Sequence, residues 1–197
     1  ENLIEIDIKN PYLYSNYGVI CKQNGKIDKA ISLYKKSIIL FPQSPEAYVN
    51  LGSILQSIGD FKEAELITRK SIKLDSENAI NYMNLGSILE SLGEYKEARK
   101  YTEYAIKIDP KCSLAYSNLG TILMSLGDTN EAKINILKAI NLNPKLALAY
   151  MNLGFLYMIQ GKLNKDGIGF KEAINAFETA IILDSNLSTA KSELLRG

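Results

Sequence analysis

The sequence predicts an all-α protein built as a solenoid of five helix pairs. Two observations carry the prediction: glycine and tyrosine recur every 34 residues, and each period contains two stretches with helical spacing of apolar residues. Helical repeats of this length bury their apolar faces only against their neighbours. The periodic residues form three series, namely Gly18, Gly52, Gly86, Gly120, Gly154; Gly25, Gly59, Gly93, Gly127, Gly161; and Tyr14, Tyr48, Tyr82, Tyr116, Tyr150.

The period divides the chain into five repeats with short flanking segments. Position numbers 1 to 34 are counted here from the first residue of each repeat. An alanine series at position 20 slips from Ala132 to Ala173, which predicts a seven-residue insertion within 162–169. Residues 1–10 are interpreted as the tail of a preceding helix and 188–197 as a C-terminal capping helix in which Leu194 and Leu195 pack on repeat five. The predicted repeats, 11–187 together, are 11–44, 45–78, 79–112, 113–146 and 147–187.

The first helix of each repeat is indicated by positions 4, 7, 8 and 11. In repeat two these are Tyr48, Leu51, Gly52 and Leu55, which share one helix face. The position-15 glycine is expected to end this helix in the left-handed region. The position-8 glycine lies inside the helix at a cost of roughly 1 kcal/mol relative to alanine, so we expect it to admit close packing against the alanine at position 20.

The second helix has its own start and stop signals. Asp60 and Asp128, each followed three residues later by glutamate, predict acidic variants of a capping box. Pro42, Pro110 and Pro144 follow the helix at a point where it can no longer continue.

The pattern Tyr-x-x-Leu-Gly-x-x-Leu, then Gly, Glu-Ala, Ala-Ile and Pro, resembles the tetratricopeptide repeat family. The resemblance runs through all five repeats. It implies a right-handed α-α superhelix whose first helices line a concave groove that binds peptides or proteins. The matching residues in repeat four are Tyr116, Leu119, Gly120, Leu123, Ala132, Ala139 and Pro144.

Position 6 is asparagine in every repeat, although asparagine is a poor helix former. The resemblance implies that position 6 points into the groove, where some family members, such as the superhelix of O-linked N-acetylglucosamine transferase, use an asparagine ladder to bind peptide backbone. A carboxamide suits that task because it both donates and accepts hydrogen bonds. The alternative is that each asparagine bonds the neighbouring helix and only stabilises the stack. The five residues are Asn16, Asn50, Asn84, Asn118 and Asn152.

Small hydroxyl residues follow the asparagines at position 9. Ser53, Ser87 and Thr121 would let a peptide backbone approach closely, so they are candidate peptide-binding residues. The alternative is an ordinary solvated helix face.

Repeat five carries an apolar patch in place of these hydroxyls. Met151, Phe155, Met158 and Ile159 are a possible apolar contact. Its occupant is left open between a ligand's apolar side chains, the insertion through Leu163 and Ile168, a second subunit, and sequence beyond Gly197.

Several classes of function are disfavoured. A formal net charge of +1 is far from the strongly basic charge of a nucleic-acid binder. The sequence contains no run of 18 apolar residues, so no membrane-spanning helix is predicted. Histidine is absent, no pair of carboxylates stands out as an acid and base, and no enzyme, metal site or cofactor is predicted. Two cysteines are too few for a disulfide framework and favour a cytoplasmic protein. Gly167-Ile168-Gly169 is not taken as a nucleotide-binding fingerprint, because no strand precedes it and a third glycine is missing, and it is interpreted instead as a flexible loop.

The function predicted is a protein-interaction scaffold that binds an extended peptide or protein segment through the asparagines. Two alternatives stay open. The chain is the substrate-recruiting region of a larger transferase whose catalytic domain lies outside it, or it is a self-assembling module that forms homo-oligomers through repeat five.

Overall fold

The computed structural model describes residues 10–164 and 167–194. Over these residues the chain forms eleven α-helices and no strand, so the all-α prediction is confirmed. The predicted helix tail in 1–10 lies outside the described residues, apart from Asn10. The first helices of the five repeats are α1 Pro11–Gln23, α3 Pro45–Ser57, α5 Ala79–Ser91, α7 Ser113–Leu126 and α9 Ala147–Asn164. The second helices are α2 Ile27–Leu40, α4 Phe61–Leu74, α6 Tyr95–Ile108, α8 Thr129–Leu142 and α10 Gly167–Leu183, and α11 is Ser188–Leu194.

The chain divides into two compact units, Glu1–Gly93 and Glu94–Gly197. In the first unit the core lies between the first and second helices, around the buried Tyr34, Leu51 and Ile54. In the second unit a core around Leu123, Ile136 and Leu156 is joined by a smaller cluster at the C-terminal end. Within each unit the helices therefore bury their apolar faces against neighbouring helices.

The position-8 glycines do admit close packing, but the residue that fills the space lies at position 24. A Cβ on Gly52 would lie 2.6 Å from Thr68 Oγ1, whereas the carbonyl of Ala64 at position 20 is 3.7 Å away. On Gly18 the Cβ would meet the Tyr34 ring. The predicted packing role is thus correct, and the position-20 alanine does face the glycine, but the closest atoms belong to the position-24 side chain, which inserts where the glycine has none.

The position-15 glycines end the first helices in the first four repeats. Gly25, Gly59, Gly93 and Gly127 have φ between 71° and 87°, which a residue with a Cβ adopts at a cost. Gly161 departs from the prediction, because it lies inside α9, which continues to Asn164.

The insertion in repeat five lengthens both helices. The predicted loop at 167–169 is wrong, because α10 begins at Gly167. A Cβ on Gly169 would lie 2.7 Å from Gly161 Cα and 3.0 Å from the Tyr157 carbonyl, so two glycines bring the backbones of α9 and α10 into contact. Gly161 therefore packs against another helix here and does not end its own.

Only one of the two predicted capping boxes has its side-chain cap. The Asp60 carboxylate accepts a hydrogen bond from the Glu63 N–H at 3.3 Å. Asp128 makes no such bond at the start of α8, and its carboxylate instead accepts from the Arg99 guanidinium at 3.4 Å. An arginine on the preceding second helix therefore replaces the predicted cap.

The C-terminal helix α11 packs on repeat five through Ala190. This residue is buried in a cluster with Ala173, Phe177 and Ala180. The side chains of Leu194 and Leu195, predicted to make this contact, lie outside the described residues.

Candidate functional site

The candidate site is the surface of the first helices that carries positions 6, 9 and 12, called here the first-helix face. These positions are three residues apart, so they share one side of a helix. In the first unit α1 contacts α3 and α3 contacts α5, and in the second unit α7 contacts α9. The face is therefore continuous from one repeat to the next within each unit.

Four of the five asparagines are accessible on this face. Asn16 is exposed, and Asn50, Asn84 and Asn118 are half-buried. Within the described part of the chain, no hydrogen bond occupies the side chains of Asn50, Asn84 or Asn118. Their carboxamides thus keep both a donor and an acceptor for another molecule.

Asn152 is used inside the protein instead. Its side chain is only 5% exposed, and its Nδ2 donates to Ser117 Oγ at 3.0 Å and to the Ser117 carbonyl at 3.3 Å. This asparagine joins α9 to α7, as the alternative interpretation of position 6 requires. The same residue type at position 6 therefore has two environments.

The difference follows from position 5 of the preceding repeat. For Asn152 that residue is Ser117, which presents a hydroxyl to the next helix. For Asn84 it is Val49, which has no polar side-chain atom. For Asn50 it is Ser15, whose hydroxyl instead lies 3.1 Å from that of Ser37 in the same repeat. A serine at position 5 is therefore not a sufficient signal by itself, since Ser117 bonds Asn152 whereas Ser15 leaves Asn50 without such a bond.

The position-9 hydroxyls are half-buried and already have partners in this structure. Lys22 Nζ donates to Ser53 Oγ at 3.3 Å, and Gln56 Nε2 donates to Ser87 Oγ at 2.8 Å. Thr121 donates to the Ser117 carbonyl at 3.4 Å. The first two bonds join neighbouring first helices, so Ser53 and Ser87 are part of the floor of the face and not a bare solvated surface.

These bonds identify a further set of polar side chains on the first-helix face, at position 12, which the sequence analysis missed. Position 12 is Lys22, Gln56 and Glu90 on α1, α3 and α5, so its charge changes from positive to negative across the first unit. Glu90 is half-buried, and burial raises the pKa of its carboxyl. The available signal was the three-residue spacing from position 9, which places position 12 on the same helix side.

The predicted apolar contact of repeat five is split between two pockets. Met151, Phe155 and Ile159 line a pocket of about 430 Å³ against Thr121 and Met124 of α7. Met158 lines a different pocket of about 510 Å³, where α9 meets α10 and α11. Phe155 packs edge-on against Phe177 with ring centroids 5.2 Å apart, which connects the two.

The insertion does not cover this apolar surface through the residues suggested for that role. Leu163 is 70% exposed and Ile168 is 67% exposed. These two side chains thus extend into solvent and line neither pocket.

Two classes of site are not seen among the described residues. No group of three or more histidine, cysteine, aspartate or glutamate side chains is placed to hold a metal ion there. None of the described helices combines the length and the apolar character needed to cross a membrane.

Comparison with known families gives one consistent result. Two models described as the tetratricopeptide repeat match residues 79–112 and residues 45–78 with 114–146. A third, described as the TPR repeat, matches residues 18–59. Together these matches span more than half of the chain. No curated protein matches the sequence.

Solved structures give the same fold. YrrB, described as a TPR protein with an unusual peptide-binding site, is 21% identical with a TM-score of 0.65, over 98% of this chain and 95% of its own. MamA is 26% identical with a TM-score of 0.67, over 91% and 94%. TTC0263, a thermophilic TPR protein of Thermus thermophilus, is 18% identical with a TM-score of 0.79, over 95% and 98%.

Proposed function

Because this chain belongs to the tetratricopeptide repeat family, we propose that it is a protein-interaction scaffold that binds an extended peptide segment across its first-helix face. The matched models describe a structural repeat and no enzyme family. The observation that carries the proposal is the pair Asn50 and Asn84, whose carboxamides lie half-buried and, among the described residues, without a hydrogen bond on adjacent, contacting helices. Asn16 extends the set within the first unit, and Asn118 has the same feature in the second unit. Asn152 is left out of the set because its Nδ2 is bonded to Ser117.

The chemistry of these carboxamides fits a peptide backbone. A carboxamide accepts from a backbone N–H and donates to a backbone carbonyl, whatever the ligand side chain. Packed helices lie about 10 Å apart, and an extended chain advances about 3.3 Å per residue. Each repeat therefore meets about three ligand residues, on the same two estimates.

The asparagines alone give weak binding. Two carboxamides with two hydrogen bonds each contribute about 4 kcal/mol, since a net hydrogen bond is worth about 1 kcal/mol. That corresponds to a Kd of about 1 mM. Contacts with ligand side chains have to supply the remainder, for example at Ser53 and Ser87 in the floor of the first unit.

Side-chain amide resonances test the proposal directly. A peptide is first selected from a random dodecapeptide library against the purified protein, and is then titrated into isotopically labelled protein. The side-chain NH2 signals of Asn50 and Asn84 are expected to shift. That of Asn135, which lies on the second helix α8 and donates to the Glu131 carbonyl, is expected to stay in place as an internal control. Shifts confined to second-helix residues would overturn the proposed site.

Self-association is a second candidate, favoured by apolar exposure on α10. Ile168, Ile174 and Ile182 are 67%, 40% and 83% exposed, and the neighbouring pocket of about 510 Å³ is lined by Met158 and Phe170. Light scattering across a hundredfold concentration range tests it. A mass that stays at 21.9 kDa counts against it.

A further inference from the structure

A row of three position-12 side chains crosses the first unit beside the asparagines. Lys22 lies on α1, Gln56 on α3 and Glu90 on α5. Lys22 and Gln56 each reach the position-9 serine of the next repeat, so their polar ends lie over the junctions between first helices. The row therefore follows the same direction as a peptide that crosses Asn50 and Asn84.

The two ends of the row have opposite and unneutralised charge. Lys22 donates to a neutral hydroxyl, and no carboxylate of the described residues forms an ion pair with it. The Glu90 carboxyl forms neither a hydrogen bond nor an ion pair with any described residue. Burial raises the pKa of this carboxyl without help from a neighbouring charge. A half-buried carboxylate without a cation is unfavourable until a partner supplies one.

Charged groups elsewhere in the same unit are arranged differently. On the second helices, Lys35 pairs with Glu63 at 3.0 Å and Arg69 pairs with Glu65 at 2.7 Å. The second-helix surface thus neutralises these charges within the protein, whereas the first-helix face leaves Lys22 and Glu90 open.

We propose that Lys22 and Glu90 select the charge pattern of the bound peptide, an inference that rests on the proposed function. The ligand carries an acidic side chain beside Lys22 and a basic side chain beside Glu90, with a polar or small residue over Gln56. Two helix intervals of about 10 Å and an advance of about 3.3 Å per residue place the two ligand charges about six residues apart. An even separation also points both side chains to the same side of an extended chain.

A synthetic library tests the pattern without knowledge of the natural ligand. Random dodecapeptides displayed on phage are selected against the full chain, and in parallel against Glu90→Lys and Lys22→Glu. With the wild type we expect enrichment of peptides that carry Asp or Glu and Lys or Arg about six positions apart. Glu90→Lys is expected to favour two acidic residues at that separation, and Lys22→Glu two basic residues.

Affinity measurements then quantify how much Lys22 and Glu90 each contribute to peptide binding. A selected peptide with a fluorescent label is titrated against wild type, Glu90→Gln and Lys22→Met by anisotropy. Each variant is expected to weaken binding about tenfold, as loss of a charge-assisted bond does. The double variant Lys35→Met with Glu63→Gln is the matched control, because it removes one charge of each sign from the second helices, and it is expected to bind as the wild type does.

The outcomes separate this inference from the proposed function. Enriched peptides without a charge pattern, whose binding is nevertheless weakened by Asn50→Ala, overturn the inference and leave the proposed function standing. Failure to enrich any peptide overturns both. An unchanged affinity in Glu90→Gln and Lys22→Met overturns the inference even where a charge pattern is enriched.

Discussion

Replacing Asn152 by alanine is expected to destabilise the protein, whereas the same change at Asn84 is not, although both asparagines occupy position 6. Asn152→Ala removes two hydrogen bonds between α9 and α7, of 3.0 and 3.3 Å, whose acceptor residue Ser117 is fully buried. At about 1 kcal/mol each these bonds contribute about 2 kcal/mol. Alanine returns roughly 0.6 kcal/mol through its higher helix propensity, so the net loss is about 1.5 kcal/mol.

Asn84→Ala has no such bond to lose. Its side chain is half-buried and makes no hydrogen bond within the described residues. The higher helix propensity of alanine then leaves the protein unchanged or more stable by up to roughly 0.6 kcal/mol. The two variants make the same substitution at the same repeat position, so each is the control for the other.

Thermal unfolding followed by circular dichroism at 222 nm measures the difference. For a chain of this size 1 kcal/mol corresponds to about 2–4 °C in Tm, so Asn152→Ala is expected to melt about 3–6 °C below the wild type. Asn84→Ala is expected at the wild-type Tm or slightly above it. Equal losses in both variants would refute the reasoning, because position 6 would then be structural in both repeats.

Three further predictions concern packing and burial. Gly120→Ala places a Cβ in steric overlap with Ile136 Cγ1 and is expected to lower stability by roughly 1 kcal/mol in urea titrations. Ile136→Ala removes that atom, so it is expected to cost less stability in the Gly120→Ala background than in the wild type. Tyr34→Phe removes a buried hydroxyl without a hydrogen-bond partner among the described residues and is expected to raise stability by about 1 kcal/mol; a lower Tm would show that this hydroxyl is bonded. Glu90→Gln is expected to raise the Tm at pH 7, because burial raises the pKa of this carboxyl and so opposes its ionisation in the folded chain. The gain should disappear below about pH 4, where the carboxyl is protonated in folded and unfolded chains alike, and a gain that persists there would contradict the assignment.

The repeat period predicted the helices well because it reports a packing requirement that recurs in every repeat. The glycine that ends each first helix was predicted correctly four times, since a tight turn at that point needs a positive φ. It failed at Gly161, where the insertion allows α9 to continue and Gly169 of α10 packs on the same glycine. A local signal for a turn was overridden by a contact between two helices, which residue spacing alone does not reveal.

The candidate site was less predictable, because residues of the same type at one repeat position contact different side chains in different repeats. Five identical asparagines indicated one role, and the structure gives Asn152 a different environment from Asn84 because the serine at position 5 reaches only the former. Glu90 was missed for the opposite reason. The residue at its position differs in each of the first three repeats, so it does not stand out in a search for recurrent residues, and its significance comes from burial without a counter-ion among the described residues.

The affinity of a selected peptide for the double variant Asn50→Ala with Asn84→Ala tests the central claim most directly. Asn135→Ala, which removes an asparagine from the second helix α8, is the matched control. The double variant is expected to bind at least tenfold more weakly than the wild type while its Tm is unchanged or higher, and Asn135→Ala is expected to bind normally. An unchanged affinity in the double variant would contradict peptide binding through the asparagines of the first-helix face.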